Sequence, residues 1–246
     1  MQITFSIDTL ERVGELAESI LDRLSKADEL RPRSMRLRDY DPGEIPDEKI
    51  LEVAARDARG GIELIVPAGE VSLSWRYGPT SWFQLVHGEI RVERDVPTGV
   101  VDAVADLSEM LSAAYSIIDV EDLVSADLLA YSSEGSASPL DRLDDLYWYN
   151  YYGPDLSRVL RREHGLTFDV PEVSQRQLAR GWEVRVDGPP RSRPYPPALR
   201  KYLNDAGVFR KYTKRARFKS GRIEFDYSKV REKKSKADWD ADFDEL

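Results

Sequence analysis

The sequence predicts an α+β protein in which a mostly antiparallel sheet packs against helices, and it allows an arrangement as two similar α+β halves. Short alternating or β-branched apolar runs recur between residues 2 and 94, often with no helix between them, which is typical of antiparallel strands. Amphipathic helical patterns at 10–24 and 97–115 lie beside these runs. A chain of 246 residues can bury a substantial core in one or two domains.

The first 115 residues contain the clearest elements. Residues 2–7 alternate and predict an opening strand, and the capping pattern of Asp8 and Glu11 predicts that a helix follows, with apolar residues as far as Leu24. A short helix begins after Pro46, and a longer one covers 97–115. The remaining predicted strands are 35–37, 62–66, 71–77, 81–87 and 90–94, with a hairpin loop at 87–89 between the last two.

Residues 138–165 are the part of the chain richest in large side chains. Ser138 followed by Pro139 suits the start of a helix, and apolar residues at three- and four-residue steps extend this pattern to residue 152. Gly153 can close a helix, and Pro154 suits the first turn of a second one. The segment therefore predicts two helices with a sharp break between them.

Five aromatic residues lie between positions 147 and 152, directly after two acids. Some of them project away from the predicted apolar stripe, and two interpretations are open. The rings can close a second part of the core, or they can form a recognition patch, since Trp and Tyr concentrate binding energy at protein interfaces. The second interpretation predicts partner contacts at Asp144, Asp145, Trp148, Tyr149 and Tyr152.

The rest of the chain contains a boundary, a hairpin and a linker. A Gly- and Ser-rich loop at 132–138 is the best internal boundary, and two runs at 173–178 and 182–186 predict a hairpin. A proline-rich link at 188–197 precedes a short helix at 198–206, and 215–227 predicts a last hairpin. The predicted units are an N-terminal α+β half, a C-terminal α+β half and a basic extension with an acidic tail, over residues 1–131, 139–209 and 210–246.

The formal net charge of −9 is unevenly distributed along the chain. Residues 210–236 hold twelve Lys or Arg and three acids, whereas residues 237–246 hold five acids and no base. The first 209 residues therefore carry a net charge of −13. An acidic body disfavours nucleic acid and favours a basic protein as partner, because opposite charge steers the encounter.

The basic segment supports a second hypothesis, which is association with nucleic acid. Lys and Arg release counterions from phosphates, and the aromatic residues between them can stack on bases. The same charges can instead be solvated, or pair with the acidic parts of this chain or with another protein. The predicted nucleic-acid contacts are Arg210, Lys211, Lys214, Arg215, Arg217, Lys219 and Arg222.

Few residues suited to catalysis are present, so we expect no enzyme, no metal site and no cofactor. The chain has no Cys and only two His, and neither a phosphate-binding loop nor a Gly-x-Ser-x-Gly pattern occurs. The acids at 141–145 and 238–245 suit solvated charges better than an acid pair or a calcium loop. No run resembles a signal peptide or a membrane span, and we therefore expect a cytoplasmic protein that binds no membrane.

Residues 146–156 resemble the aromatic-x-Asn-x-aromatic-Gly-Pro motif of one class of bacterial polymorphic-toxin immunity proteins. The matching residues are Asn150, Tyr152, Gly153 and Pro154, and the order of predicted elements over residues 1–210 is similar as well. The resemblance implies a non-enzymatic inhibitor that binds a toxin or effector, with an acidic surface that steers a basic toxin domain. It also implies that Gly153 and Pro154 shape the scaffold and do not contact the toxin.

Overall fold

The computed structural model confirms the α+β class. Nine strands form one sheet in which every neighbouring pair is antiparallel, and helices pack against it. The structure describes residues 1–9, 11–38, 40, 45–56, 59–76, 84–120, 147–162, 164–190, 201–202, 205–206, 216–219 and 222–225.

The strands and helices follow one another in an order that places the first strand in the middle of the sheet. The strands are β1 Gln2–Thr9, β2 Ser34–Leu37, β3 Arg59–Val66, β4 Gly69–Arg76, β5 Gln84–Arg91, β6 Tyr115–Val120, β7 Tyr149–Tyr152, β8 Val173–Gln177 and β9 Trp182–Val186, with β10 Ala216–Lys219 and β11 Arg222–Phe225 as a separate pair. The helices are α1 Ala17–Leu24, α2 Ile50–Arg56, α3 Thr98–Met110 and α4 Pro154–Arg162. The sheet order is β2-β3-β4-β5-β1-β6-β7-β9-β8.

One face of the sheet, here called the helix face, is covered by α3. The Ser108 and Ser116 hydroxyls are 2.7 Å apart, so the side chain of Ser116 on β6 points towards α3. Ile7 lies opposite Ser116 in the β1–β6 register and shares its face. By the alternation of a strand, Ile3 and Phe5 also face the helix, and all three β1 side chains are fully buried.

The other face of strands β1 to β5, here called the open face, is polar and partly exposed. Register places one side chain from each strand in a single row across this face: Arg36, Glu63, Ser72, His87 and Ser6. The Arg36 and Arg38 guanidiniums both contact the carboxylate of Glu63. Burial by itself would raise the pKa of Glu63, but the hydrogen bonds from the two arginines outweigh it and lower that pKa. Ile65, on the same face of β3, is 43% exposed.

The sheet is covered on both faces in its second half. On β7, the Tyr151 hydroxyl reaches Glu109 of α3 on the helix face. On the opposite face, the ring of Tyr152 stacks on those of Tyr115 and Phe168, at centroid separations of 5.7 and 5.8 Å. Phe168 also meets Trp182 of β9 edge-to-face at 4.8 Å. Strand β7 is therefore buried on both sides, as its four fully buried residues show.

The prediction of a helix as far as residue 152 is wrong, because residues 149–152 form strand β7. Both faces of this strand are aromatic or buried, so the sequence lacks the apolar–polar alternation that marks a strand. The first part of the predicted helix, at 139–146, lies outside the described residues. The break itself is confirmed. Pro154 opens α4, and a Cβ on Gly153 would lie 2.0 Å from the Ala113 carbonyl oxygen.

Two further boundaries differ from the predictions. The hairpin predicted at 87–89 is wrong, since β5 runs through it without a break and Gly88 pairs with Phe5. A Cβ on Gly88 would lie 2.2 Å from the Phe5 ring, so this glycine permits close packing and makes no turn. The first helix begins at Ala17 and not after Asp8, because Asp8 belongs to β1.

The two predicted hairpins, β8–β9 and β10–β11, agree with the structure. The helix predicted at 97–115 ends at Met110, and Tyr115 begins strand β6, which was not predicted. Of the helix predicted at 198–206, only residues 201–202 and 205–206 are described. The sheet also runs across the predicted domain boundary, since Ile118 of β6 pairs with Tyr149 of β7. Strands from 1–131 and from 139–209 thus share one sheet. Within the described residues, no helix combines the length and the apolar character that a bilayer crossing requires.

Candidate functional site: the acidic end of the sheet

The aromatic residues predicted as partner contacts lie in the interior. Trp148 is 5% exposed, and Tyr149 and Tyr152 are fully buried. None of the three presents a large side-chain surface to a partner, and the prediction that they form an exposed patch is corrected accordingly. The core interpretation of these rings fits the structure. Asp144 and Asp145 lie outside the described residues.

Burial also governs the chemistry of these tyrosines. It raises the pKa of Tyr149 well above its usual value, and the negative charge of Glu183 adds to that effect. Burial alone raises the pKa of Tyr152. Neither hydroxyl has a hydrogen-bond partner within the described chain. Both therefore act as neutral core groups.

Asn150, the central residue of the motif, organises this part of the core. Its Oδ1 accepts hydrogen bonds from the Tyr115 hydroxyl at 3.0 Å and from the Tyr147 amide at 3.2 Å. Its Nδ2 donates to the Tyr147 carbonyl at 2.8 Å. Asn150 is fully buried, so each of these bonds satisfies a group that water cannot reach. The residue joins β6 to the start of β7.

Glu109, near the end of α3, links the β8–β9 hairpin to the helix by hydrogen bonds. Its Oε1 accepts from the Tyr151 hydroxyl at 2.8 Å and from the Gly181 amide at 2.9 Å, while its Oε2 accepts from the Arg180 amide at 2.8 Å. Burial raises the pKa of Tyr151, and the hydrogen bond to Glu109 raises it further. This carboxylate has a structural role, because its partners belong to the chain itself.

A different set of acids gathers at one end of the sheet. Gly69 pairs with Ile90, Gln2 with Arg91 and Ile3 with Val120, so the start of β4 and the ends of β5 and β6 lie together. The same register brings the end of β9 to this end of the sheet. We call five of the acids found there the acidic end: Glu70, Glu89, Glu93, Asp95 and Asp187. Glu172 lies beside Asp187 at the same end. The positive groups in this part of the sheet are Arg33, Arg91, Arg94, Arg185 and the Met1 ammonium.

Two of these acids face one another directly. Glu70 of β4 lies opposite Glu89 of β5, and like charges at such a pair destabilise a sheet. Among the described residues, the Glu89 carboxylate has one polar partner, the His87 ring at 3.3 Å, and Glu70 makes no ion pair. Thr4 lies opposite Glu89 on the other side, and its buried hydroxyl has no hydrogen-bond partner within the described chain. The arrangement leaves negative charge and an unsatisfied polar group side by side.

Two clefts lined by described residues open at the acidic end. The larger has a volume of about 680 Å³ and lies between the β3–β4 turn, the first two residues and the end of β5, with Glu89 and Glu93 among its lining residues. The smaller, which we call the Trp148 cleft, has a volume of about 170 Å³. Its lining residues are Asp95, Val96, Thr98, Trp148, Arg185, Asp187, Gly188 and Pro189. One predicted contact residue, Trp148, therefore lines a cleft with acids other than the predicted ones.

Serine and histidine also come together on the open face, but not as an activated nucleophile. His87 lies between Ser72 and Ser6 in the register, and its Nε2 is 3.3 Å from Glu89. The Ser6 hydroxyl and the His87 Nδ1 are both buried and have no hydrogen-bond partner in the described chain. An activated serine nucleophile needs a hydrogen bond from its hydroxyl to a general base, and the described residues show no such bond for Ser6. Among the described residues, no three His, Asp or Glu side chains come together as metal ligands.

The basic residues predicted to contact nucleic acid are only partly described. Arg217 and Lys219 belong to β10 and Arg222 to β11, in the register that pairs Lys219 with Arg222. The same register pairs Arg217 with Glu224. The other four predicted residues, Arg210, Lys211, Lys214 and Arg215, lie outside the described residues.

No protein-family model matches the chain, and no curated protein matches it. The site therefore has to be judged on its own geometry. Sequence reasoning missed all five acids of the acidic end, since no local motif contains them and three parts of the chain, around residues 70, 89–95 and 187, contribute them. Only the strand register, which places Glu70 opposite Glu89, could have revealed part of the set.

Proposed function

We propose that this protein is a non-enzymatic, protein-binding inhibitor that holds a basic partner, such as a toxin or effector domain, against its acidic end. The observation that carries the proposal is the pair Glu70 and Glu89, placed directly opposite each other and exposed to a partner. A repulsive pair lowers the stability of the free protein. A cationic partner reverses that cost when it binds between the two carboxylates.

The availability of the carboxylates supports the same proposal. Glu70, Glu93, Asp95 and Asp187 make no ion pair with any described residue. Elsewhere in the described chain, acids such as Glu63 and Glu109 are already engaged by arginines or amides. None of these four carboxylates is therefore neutralised by a base in the described part of the chain. With −13 over the first 209 residues, this charge also steers basic proteins from a distance.

The resemblance to immunity proteins adds a reason to expect a toxin as the partner. The motif residue Asn150 satisfies a buried network, and Gly153 passes too close to Ala113 for any other residue. Both residues have scaffold roles in this chain, as the resemblance implies for Gly153 and Pro154. The contacts with a toxin would then come from the acids that this scaffold supports.

The test uses the toxin or effector encoded beside this gene, co-expressed with the full-length chain. We expect the wild-type chain to protect the cell and to bind the purified toxin, with an affinity that falls as salt is raised. Glu70→Lys/Glu89→Lys is expected to weaken binding at least tenfold, because it removes two negative charges and adds two positive ones.

The matched control is Glu18→Lys/Asp169→Lys, which makes the same change of charge at two exposed acids away from the acidic end. The control is expected to bind within about twofold of wild type. If both double variants bind alike, the acidic end is not the docking surface. If no neighbouring or other basic protein is bound or neutralised, the proposal fails as a whole.

A second candidate function is association with nucleic acid through the β10–β11 hairpin. It is favoured by this hairpin because Arg217, Lys219 and Arg222 all belong to its two paired strands, with Lys219 opposite Arg222. The triple substitution of these residues by Ala is expected to reduce the salt dependence of DNA or RNA binding by about three released counterions. Absent or salt-independent binding of the wild-type chain would exclude this function.

A further inference from the structure

We infer that strand β8 is a self-association edge, to which a second copy of this chain adds its own β8 in antiparallel orientation. Strand β8 is the outermost strand on one side of the nine-stranded sheet. The inference depends on the backbone of this strand and on its pairing with itself. It goes beyond the proposed function, since the basic partner takes no part in it.

The register shows which backbone groups of β8 point away from the sheet. The Asp187 amide donates to the Glu172 carbonyl at 2.9 Å. Because hydrogen-bonded and non-hydrogen-bonded pairs alternate along an antiparallel ladder, Ser174 and Arg176 also bond to β9. The three residues that turn their N–H and C=O groups outwards are Val173, Gln175 and Gln177. No group of the described chain bonds to the main chain of these three residues.

This edge is accessible and regular. Gln175, Arg176 and Gln177 are exposed, and the five residues of β8 pair with β9 without a bulge. Natural edge strands are protected from other chains by bulges, proline, unpaired charges or a covering element. Strand β8 contains no proline and no lysine, and its one arginine is paired with Glu183. At the opposite edge of the sheet, by contrast, α2 packs against β2.

The strand is held in an extended shape before another strand arrives. Arg176 Nη2 lies 2.8 Å from Glu183 Oε2 across the β8–β9 pair. At the turn of this hairpin, the Arg180 and Gly181 amides donate to Glu109 of α3. A strand that is already ordered loses little conformational entropy when a second strand pairs with it. Strand β8 is therefore a preformed template for the addition of a strand.

Charge indicates what the edge accepts. The segment 172–187 holds three acids and three bases, so its net charge is zero. A basic protein gains no electrostatic attraction there, whereas two such neutral edges approach each other without local repulsion. The described chain also has no strand left to cover β8, because β10 and β11 pair with each other.

Pairing of two β8 strands about Gln175 brings compatible residues together. A two-fold axis places Gln175 opposite Gln175 of the second copy, Ser174 opposite Arg176, and Val173 opposite Gln177. Each pair of outward residues then exchanges two backbone hydrogen bonds. The two Arg176 side chains do not face one another, and each has Glu183 of its own chain as a partner. The edge is thus self-complementary, as a two-fold contact requires.

The contact is small, so the dimer is expected to be weak and reversible. Stable interfaces bury about 1,200–2,000 Å², which is more than two strand edges provide. Self-association should strengthen as salt is raised, because each copy carries a net charge of −9 and salt screens the repulsion between them. The proposed binding of a basic partner has the opposite salt dependence.

The first test uses the full-length wild-type chain from about 10 µM to about 1 mM. Sedimentation velocity is expected to show a monomer that turns reversibly into a dimer as the concentration rises. Amide hydrogen exchange then locates the contact. Exchange at Val173, Gln175 and Gln177 should slow with concentration, while exchange at Ser174 and Arg176, which already bond to β9, should stay slow at every concentration.

The second test uses the position on the two-fold axis. Gln175→Glu and Gln175→Lys each place like charges opposite one another and should weaken self-association by about two- to fivefold. An equal mixture of the two variants should regain it, because opposite charges then meet. Ser19→Glu and Ser19→Lys make the same charge changes at an exposed position of α1, and they should self-associate like wild type.

Several outcomes would overturn the inference. These are a wild-type chain that stays monomeric up to about 1 mM, unchanged exchange at the outward amides, and equal effects of the Gln175 and Ser19 variants. If only an added basic protein slows exchange at the outward amides, the edge belongs to that protein and the inference is wrong. The wild-type exchange measurement decides the case if Gln175→Lys, which removes the acceptor of the Trp182 indole, does not fold.

Failure of this inference and failure of the proposed function are distinguishable. A monomer that binds a basic protein through Glu70 and Glu89 leaves the proposed function standing and excludes the self-association edge. A dimer that forms through β8 but binds no basic protein supports the edge and excludes the inhibitor function. Glu70→Lys/Glu89→Lys lies outside β8 and should leave the exchange pattern of Val173, Gln175 and Gln177 unchanged.

Discussion

The two halves of the sheet use their second face in opposite ways. In the described part of strands β1 to β5, the helix face is covered by helices, whereas Arg36, Glu63 and Ile65 of the open face are in contact with water. Thr4 and Ser6 of β1 are the buried exceptions on that face. Strands β6, β7 and β9 are covered on both faces, by α3 on one and by the Phe168 ring on the other. The same antiparallel ladder therefore carries a surface in its first half and a core in its second half.

This difference separates the parts that provide stability from the parts that are free to bind. Fully burying a large apolar side chain contributes about 1.5–3 kcal/mol, so the aromatic cluster on β7 and β9 is a large source of stability. Exposed polar residues on the open face contribute little to the free energy of folding, so their identity can serve the recognition of a partner. The acidic end lies where both halves meet, with Glu89 on one side and the Trp148 cleft on the other.

The largest expected effect is a difference in stability between two substitutions, one of a buried polar residue in the second half and one of a polar residue on the open face. Asn150→Ala removes three buried hydrogen bonds, one with the Tyr115 hydroxyl and two with the Tyr147 backbone, and we expect a loss of about 3 kcal/mol in the free energy of unfolding. Ser72→Ala on the open face should change that free energy by less than about 0.5 kcal/mol. Denaturant unfolding of both variants measures the contrast, and equal losses would remove the distinction between the halves.

An alkaline titration is expected to have an intermediate effect, confined to the second half. The folded state raises the pKa of Tyr149, Tyr151 and Tyr152 above the usual value of 10.0, so it holds these protons more tightly than the unfolded chain does. Stability is therefore fully present below about pH 10 and is lost as the pH rises above it. Denaturant unfolding at increasing pH, with tyrosinate absorbance as a second signal, measures this loss.

A matched variant isolates one tyrosine in that titration. Tyr152→Phe removes a hydroxyl that has no hydrogen-bond partner in the described chain, so it should cost little stability at neutral pH. Above about pH 10 the variant should lose stability less steeply than wild type, because one proton fewer is coupled to folding. An unchanged slope would show that Tyr152 does not contribute.

The smallest expected effect is a gain in stability, and it is expected on the open face. Glu70→Lys places a cation opposite Glu89 and should raise the free energy of unfolding by about 0.2–1 kcal/mol, while Glu70→Gln should give a smaller gain. The same Glu70→Lys exchange is part of the variant expected to weaken partner binding. Thermal unfolding of the single variants checks the gain, and a lower stability of Glu70→Lys would argue against repulsion in the native protein.

The contrast between the halves also explains which elements the sequence could predict. Strands of the first half alternate because one face is polar, so β1, β3 and β4 were predictable from period two. On β7 no face is polar, and its aromatic residues fitted a helical stripe instead. Burial on both sides removes the signal on which strand prediction depends.

The roles of Gly88 and of the acids at the acidic end were not predicted for a related reason. They depend on residues that are distant in the sequence. Gly88 looked like a turn, but it is needed because the Phe5 ring packs on it from another strand. Glu70 and Glu89 are 19 positions apart in the sequence and become neighbours only through the β4–β5 register. Trp148 was predicted as a contact, yet only the fold shows which small part of its surroundings is open, and that Asp95 and Asp187 line it.

The central position of β1 has a consequence for the order of synthesis. This strand is synthesised before its partners β5 and β6, so Gln2 cannot pair until Arg91 has been made, and Ile3 cannot pair until Val120 has been made. The meander from β2 to β5 can close through neighbouring segments well before that. Pairing of β1 with β5 and β6 closes the longest loops of the sheet. Pairing between segments so distant in the sequence slows folding. The growing chain is therefore most prone to mispairing during the time in which β1 is made but β5 and β6 are not yet available to pair with it.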